Sequence, residues 1–293
     1  MIPEEGKLLG KKVDYPKSYC PEILVAVPRS QNRETYGIFR AEELFCGWDC
    51  WHCYECSFLL DNGMPVIGIL KIVYPSNSLY IVESKSLKLY LGSFNMLSLG
   101  QDKTTGISNY TRRIEEDLSQ LLSVRVNVCF YSDFPSEMPF DFNEYRILED
   151  SVQPDSISFS VYQEQPAWLE ENISRSAGEI KVCSRLLKSN CKITGQPDWG
   201  TLYIRMKGQT LPDKQALLKY IISLRNENHF HEEICEMTYK RLSDLFQPEI
   251  LMTSCLYTRR GGIDICPVRA NKPEFLPQYL PQARILTKRS FRQ

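Results

Sequence analysis

The most constraining feature of the chain is a helix-type spacing of apolar residues that is followed, from about residue 123, by a strand-type spacing. Residues 123–131 place an apolar side chain at every second position, as a half-buried strand does. The apolar residues just before this segment recur at helical spacing: Tyr110, Ile114, Leu118 and Leu121. A helix that packs one face inward beside a half-buried strand predicts an α+β fold.

The second half of the chain carries the same two kinds of signal. One amphipathic helix is expected to follow Asp213, and another is expected to begin near His231. Gly261–Gly262 lies between two strand-like runs, residues 250–257 and 263–268, which predicts a β-hairpin. Helices and strands are therefore expected in both halves.

A short string repeats between the two halves of the chain. Residues 78–81 read Ser-Leu-Tyr-Ile, and residues 201–204 read Thr-Leu-Tyr-Ile, each after a proline-containing turn. The spacing is close to half the chain length, which predicts two related modules. A polar stretch over residues 149–175 is the expected seam between them. We therefore predict an N-terminal module over residues 1–155 and a C-terminal module over residues 156–293.

Charge and hydropathy exclude several classes of function. The 293 residues carry 35 basic and 36 acidic side chains, so the basic surplus of a nucleic-acid-binding protein is missing. The most apolar stretch, residues 66–73, contains Lys71 and is too short to span a membrane. The N-terminus has no apolar run of a secretory signal, and an odd count of 11 cysteines indicates reduced thiols. We predict a cytoplasmic protein that binds neither nucleic acid nor a membrane directly.

Two cysteine motifs have the spacing of metal ligands. One has the spacing that holds a four-iron cluster in radical enzymes and consists of Cys46, Cys50 and Cys53, extended by Cys56. The alternative is a helix over residues 45–59 that buries these thiols among aromatic side chains, and the interleaved aromatics favour it. His231 and Cys235 have zinc-type spacing, but a third ligand is not evident. We predict no metal.

One turn-rich stretch has the chemistry of a nucleophile. Cys191 is followed by Lys192, whose cation is expected to activate an accessible thiol. Asp198 lies seven residues further on, across a Gly/Pro turn, and can fold back as a proton carrier. From the residues alone this pair is a candidate catalytic site.

Four blocks of the sequence, in this order, carry a more specific signal. They are Glu-Ser-Lys-Ser-Leu-Lys-Leu-Tyr at residues 83–90 with Gly-Ser-Phe-Asn at 92–95, the stretch 187–200, Asn-His-Phe-His-Glu at 228–232, and Tyr-Thr-Arg-Arg-Gly-Gly-Ile-Asp at 257–264. The opening segment also fits, with Leu9-Gly10 and Val27-Pro28-Arg29. In these blocks the chain resembles the NADPH-dependent 7-cyano-7-deazaguanine reductases, the nitrile reductases of queuosine biosynthesis, and the likeness covers nearly the whole chain.

The resemblance implies two tandem tunnelling-fold modules, each an antiparallel sheet backed by helices. The modules of this fold associate through their sheets, so the active site is expected where they meet. A homodimer is expected by the same analogy. The chain departs from the family at Cys50, Cys53 and Cys56, where apolar residues are expected, and at Cys266, where asparagine is expected.

The resemblance also implies a reaction, the four-electron reduction of the nitrile of 7-cyano-7-deazaguanine by NADPH. The thiolate of Cys191 would add to the nitrile carbon and form a thioimidate, which is easier to reduce than the nitrile. Asp198 would protonate the nitrile nitrogen. It would do so either because its site keeps it protonated or by passing on the proton of Cys191.

Family positions also assign the binding residues. Those expected to bind the substrate base are Val82, Glu83, Ser84, His231 and Glu232. Those expected to bind NADPH are Ser84, Lys85, Arg260 and Gly261. A carboxylate such as Glu232 can accept two adjacent N–H donors of a guanine-like base. Without the resemblance, the preferred interpretation of Glu232 is an acidic residue favourable to a helix N-terminus.

Two other functions remain open from the sequence. One is a zinc-dependent, pterin-type cyclohydrolase of the same fold, in which Cys191 and a histidine would be metal ligands. The other is a non-catalytic module that binds a purine-like base. Metal content separates the first from a reductase, and a covalent adduct with the nitrile separates the second.

Overall fold

The computed structural model describes residues 15–153, 155 and 157–293. Leu9–Gly10 of the opening block and part of the expected module boundary near residue 155 lie outside these residues. In the described part of the chain, no helix combines the length and the hydropathy that a membrane crossing requires.

Six α-helices and twelve strands are found in the described residues. The helices are α1 Arg29–Thr35, α2 Ala41–Leu44, α3 Ser84–Gly92, α4 Lys103–Leu122, α5 Lys214–Ser223 and α6 His231–Phe246. The strands are β1 Ala26–Pro28, β2 Cys46–Leu59, β3 Pro65–Pro75, β4 Tyr80–Val82, β5 Asn127–Tyr131, β6 Arg146–Ile147, β7 Gly178–Ser184, β8 Lys188–Cys191, β9 Pro197–Gly208, β10 Asn228–His229, β11 Ile250–Tyr257 and β12 Ile263–Ala270. The α+β class expected from the sequence is confirmed.

Ten of these strands form one sheet. The order is β10-β8-β9-β11-β12-β2-β3-β5, and β7 also pairs with β9 and is flanked by β6. β12 joins the two halves by pairing with β2, from Ile263 opposite Cys53 to Ala270 opposite Cys46. The halves are therefore connected through their sheets, as the resemblance implies, and β1 and β4 form a small separate ribbon.

The helices cover one face of this sheet. Under α5 and α6 lies a core that also takes in Ile38, Phe45 and Leu148 from the N-terminal half. Under α3 and α4 lies a second core built around Trp51 and the aromatic rings of both helices. The opposite face carries a third core that the chain covers with its own later segments, including Leu280.

The periodic segments form the elements that the sequence predicts. Helix α4 begins after Asp102, whose carboxylate accepts from the backbone N–H of Thr105, and buries the predicted stripe except Leu121, which is only partly buried. It ends at Ser123, whose positive φ of 53° stops the helix. The strand that follows starts at Asn127, later than the alternation suggests.

The prediction of a helix over residues 45–59 is wrong, because these residues form the long strand β2. β2 pairs with a strand on each side and is buried on both faces, so it lacks the alternation that marks a half-buried strand. Cys50 packs on one face of the sheet, and Cys53 and Cys56 pack on the other. A bulge between Cys53 and Cys56 brings these two to the same face at a spacing that resembles a helix. The thiols do not converge on a cluster.

The repeated string does not mark equivalent positions. Residues 78–81 run from a turn into the three-residue strand β4, whereas residues 201–204 lie in the middle of the twelve-residue strand β9. A string of three identities recurs by chance in a β-rich chain, so it carries no information on the modules.

Candidate active site

A cavity of about 400 Å³ opens on the helix-covered face where the two halves meet. All but one of the predicted site residues line it: Val82, Ser84, Lys85, Cys191, Asp198, His231, Glu232, Arg260 and Gly261. Glu83 is the exception and is 1% exposed. Because the backbone at Glu83 is extended, successive side chains point to opposite sides. Val82 and Ser84 therefore line the cavity, whereas Glu83 does not.

Strand pairing brings the cysteine and the aspartate together. β8 and β9 form a hairpin in which Ser189 lies opposite Asp198. Cys191 is two residues beyond Ser189, so its side chain is on the same face as that of Asp198. The turn between them uses Gly195 at a φ of 65°, and its N–H donates to the carbonyl of Cys191 at 3.0 Å. The thiol is not broadly accessible, since Cys191 is 7% exposed.

Asp198 is held by two donors. Arg260 donates to its Oδ1 atom, and Nε2 of His231 lies 3.4 Å from Oδ2. Burial opposes ionisation, but hydrogen bonds and charge from His231 and Arg260 hold the pKa of Asp198 below its usual value. The carboxyl group is therefore ionised at neutral pH. Of the two roles open to Asp198, the structure favours the one that passes on a proton.

The cation beside Cys191 is not the one expected. Lys192 binds Asn32 and lies 3.3 Å from Glu233, so its amine is used in the packing of α1 against α6. Arg260 interacts with Cys191 as well as with Asp198, and both interactions raise the pKa of the guanidinium against the effect of burial. Lys192, expected beside the thiol, is thus engaged by Glu233, and the cation that interacts with Cys191 and Asp198 is Arg260.

The N-terminus of α6 supplies the groups suited to a planar base. His231 stacks on Tyr257 with ring centroids 3.8 Å apart. Glu232 is 3% exposed, and its Oε1 atom makes no hydrogen bond to any residue that the structure describes. Burial, and after it the charge of Asp49, raises the pKa of Glu232 to about 8. A buried carboxyl with an unpartnered oxygen in a cavity wall is suited to a ligand that offers N–H donors.

The opposite wall has the features of an anion site. Ser84 and Lys85 form the first turn of α3, where the backbone N–H groups and the helix dipole favour an anion. Lys88 and Arg260 add positive charge to the same wall. Gly261 has a φ of 56°, and a Cβ atom on it would lie 3.2 Å from Nζ of Lys88. These residues fit the phosphates of a dinucleotide.

The comparisons with known proteins identify the family of the chain. Residues 15–130 match the family model described as "Nitrile reductase, 7-cyano-7-deazaguanine-reductase N-term", and residues 197–275 match that of "QueF-like protein". An NADPH-dependent 7-cyano-7-deazaguanine reductase from Hahella chejuensis is 39% identical over 274 residues, which are 92% of this chain and 95% of the relative. One from Acinetobacter baumannii is 38% identical over 96% of this chain and 98% of the relative.

The chain belongs to the 7-cyano-7-deazaguanine reductase family. A solved structure of an archaeosine synthase QueF-Like in the apo form is a much more distant neighbour. It covers 33% of this chain at 16% identity, with a TM-score of 0.29.

Membership in the reductase family leaves the metal-based alternatives without support. In residues 15–153, 155 and 157–293, one group of three His, Cys, Asp or Glu side chains has its ligand atoms within 4.8 Å of one another: His52, Asp264 and Cys266. A cyclohydrolase would require Cys191 to be a metal ligand, but Cys191 is not part of this group. The zinc-type pair is also separated, because Cys235 lies in the core with Sγ 3.5 Å from the carbonyl of Thr253.

Several wall residues were missed by the sequence analysis of this reductase. Phe230 and His229 lie inside the matched block 228–232, and Lys88 lies inside the block 83–90, so their signal was present but unassigned. Trp51 reaches the cavity from β2 and has no signal in the sequence.

Proposed function

We propose that this chain reduces the nitrile of 7-cyano-7-deazaguanine to an aminomethyl group in queuosine biosynthesis, with NADPH as the reductant. The observation that carries the proposal is the convergence of Cys191, Asp198 and Glu232 on one cavity. The relatives that match the chain over more than nine-tenths of its length are reductases of this nitrile.

Cys191 is the proposed nucleophile. Its sulfur bonds to the nitrile carbon while one π bond of the nitrile opens, which gives a thioimidate with a C=N bond. Arg260, which donates to Asp198, also interacts with Cys191.

Asp198 is the proposed proton carrier. Its ionised carboxylate accepts the thiol proton of Cys191 and delivers it to the nitrile nitrogen as the C–S bond forms. His231 and Arg260 fix its two oxygens, which keeps the proton path short. After reduction of the thioimidate the sulfur leaves, and the resulting imine is reduced in the same cavity.

Glu232 and His231 are the proposed base-recognition residues. An ionised Glu232 accepts two adjacent N–H donors of the pyrimidine edge, and this pairing supplies the partner that its buried Oε1 atom requires. His231, stacked on Tyr257, presents a fixed ring edge to the base. Val82 and Ser84 line the same cavity. Glu83, also predicted to bind the base, is 1% exposed and is not among the lining residues.

Ser84, Lys85, Arg260 and Gly261 are the residues proposed to hold NADPH, with Lys88 as a further cation. The cofactor supplies two hydrides in succession, so two molecules are consumed for each nitrile. The helix N-terminus and the cations suit its phosphates. Trp51 and Ile265 make the floor of the cavity apolar, which limits hydrolysis of the imine.

We further propose a cytoplasmic homodimer that binds no nucleic acid directly, with the module boundary near residue 155. All eleven cysteines are free thiols, which supports a reducing compartment. The net charge of −1 supports the absence of nucleic-acid binding. The dimer rests on analogy with the tunnelling fold.

The test is the consumption of NADPH on addition of 7-cyano-7-deazaguanine, with the amine product identified by mass spectrometry. We expect two molecules of NADPH oxidised for each amine formed. The absence of nitrile-dependent oxidation in protein that binds the base would contradict the proposal and favour a binding module.

A further inference from the structure

His229 is the register partner of Cys191 in the neighbouring strand and has been given no role. β10 runs parallel to β8, and His229 lies directly opposite Cys191 in their register. Register partners point to the same side of a sheet, and both residues line the cavity. A side chain that stays next to the nucleophile by backbone pairing is well placed to influence its charge.

Both ring nitrogens of His229 face carboxylates. Nε2 lies 3.0 Å from Oε2 of Glu227, and Nδ1 lies 3.1 Å from Oε2 of Glu233. The hydroxyl of Tyr36 also lies 2.6 Å from Nδ1. An ionised carboxylate only accepts hydrogen bonds, so the imidazole satisfies both of them only when both nitrogens carry a proton.

The charge balance of this cluster points the same way. Glu233 is shared with Lys192, and Glu233 is 5% exposed while His229 is 12% exposed. With a neutral imidazole, two carboxylates would face one ammonium group in a half-buried cluster. With an imidazolium, two negative charges meet two positive charges, and the cluster carries no net charge.

Each of the other charged groups near Cys191 is paired with a further residue. Arg260 contacts the thiol, but its charge is largely balanced by the ionised Asp198. His231 is directed to Asp198, and Lys192 to Glu233. A thiolate at Cys191 is therefore stabilised by any further positive charge that lies beside it.

We propose that His229 is a positioning residue for the reaction, an imidazolium held by Glu227 and Glu233 that stabilises the thiolate of Cys191. This inference rests on the proposed role of Cys191 as the nucleophile. The thiol proton still leaves to Asp198 and then to the nitrile nitrogen, so His229 gains and loses no proton. Its contribution is a fixed charge beside the sulfur.

The test is the rate at which iodoacetamide alkylates Cys191 as a function of pH, followed by intact mass on the full chain. The sulfur displaces iodide, and only the thiolate reacts, so the midpoint of the profile reports its formation. His229→Gln is expected to move the midpoint up by about one pH unit, which is about a tenfold slower reaction near neutral pH. The limiting rate at high pH should stay unchanged, whereas damage to the structure would change it.

Two further variants keep the test decisive. Tyr36→Phe removes the hydroxyl on His229 without changing charge and should leave the midpoint where it is. Glu227→Gln removes one carboxylate together with one of the two acceptors that hold the imidazolium, so the cluster gains no net negative charge and the midpoint should not rise as it does in His229→Gln. Cys191→Ala gives the background from the other ten cysteines. An unchanged midpoint in His229→Gln would overturn the proposal.

The alkylation needs neither the nitrile nor NADPH. A shift of the midpoint without nitrile reduction would therefore reject the proposed function and leave the role of His229 intact. Nitrile reduction without a shift would do the reverse.

Discussion

Two groups of the same three residue types lie on opposite faces of one sheet. Each contains a cysteine, a histidine and an aspartate. The group in the cavity is Cys191, His231 and Asp198, and the group on the other face is Cys266, His52 and Asp264. They differ in what surrounds them, and that difference separates a reactive site from a structural one.

The group on the far face is closed and fully partnered. Nδ1 of His52 lies 2.7 Å from Asp264, and Tyr54 donates to the other carboxylate oxygen at 2.7 Å. Nη1 of Arg289 lies 3.3 Å from Nε2 of His52, which ties the C-terminal segment to the sheet. Burial lowers the pKa of His52 to about 4 and raises that of Cys266 well above its usual value. Its histidine and its thiol are neutral at pH 7.

The group in the cavity is open. Beside it lies Glu232, a buried carboxyl group with an oxygen that has no partner in the described residues. The comparison teaches that residue type does not define the site. Open volume and an unsatisfied buried polar atom define it.

The largest expected difference between the two groups is in turnover. Cys191→Ala should abolish nitrile reduction while the base still binds, because only the covalent step is lost. Cys266→Ala should keep turnover close to that of the parent at a cost of about 1–2 kcal/mol in unfolding free energy. Steady-state NADPH oxidation and denaturant unfolding check both. Loss of turnover in folded Cys266→Ala would break the comparison.

The second-largest difference is expected between substitutions of the two aspartates. Asp198→Asn and Asp198→Ala should slow formation of the adduct by about 10²- to 10⁴-fold, the usual contribution of a proton carrier. Asp264→Asn should lower stability, because it leaves His52 and Arg289 without their carboxylate, and it should leave the adduct rate of the folded protein unchanged. Stopped-flow adduct formation gives the rates. Equal rates in the parent and both Asp198 variants would remove Asp198 from the mechanism.

The unpartnered carboxyl group predicts a pH effect on binding. Glu232 is mostly protonated in the empty cavity at pH 7, since burial raises its pKa to about 8, whereas base recognition needs the ionised form. Binding therefore releases a proton, and the dissociation constant should fall as pH rises and level off above about 8. Between pH 6 and 7 the change should be up to about tenfold. Calorimetry of base binding in buffers of different ionisation enthalpy measures the proton release. Glu232→Gln, which cannot ionise, is the control that should bind weakly at every pH.

The smallest effect is expected at the cysteines of β2. Cys50 and Cys53 are buried on opposite faces as packing residues, so Cys50→Ala should cost about 1 kcal/mol and retain activity. The protein purified in air should be colourless. A visible absorption band that disappears together with turnover in this variant would contradict the packing assignment.

The sequence predicts the elements whose burial is one-sided. α4 buries one stripe, and one-sided burial leaves a periodic pattern. β11 and β12 are buried on both faces, and their hairpin was predicted from the Gly261–Gly262 turn instead. β2 is buried on both faces and contains a bulge, so its pattern was read as a helix. The periodicity signal fails for β2 because this strand lies in the interior of the sheet, between β12 and β3.

The site was predictable where it lies in contiguous blocks. Cys191, Asp198 and Glu232 were assigned from such blocks, and the structure brings them to one cavity. The partners of these residues were not predictable, because Arg260 reaches Asp198 across 62 residues of sequence. For the same reason, the sequence around Lys192 gave no indication of its ion pair with Glu233, which lies on a different element.

The central claim is that Cys191 forms a covalent bond with the nitrile carbon. Intact-mass spectrometry of the parent protein mixed with 7-cyano-7-deazaguanine in the absence of NADPH tests it directly, followed by peptide mapping. We expect a mass increase equal to the whole substrate, located on the peptide that contains Cys191 and absent from Cys191→Ala. No adduct on a parent protein that binds the base, or an adduct that persists in Cys191→Ala, would contradict it.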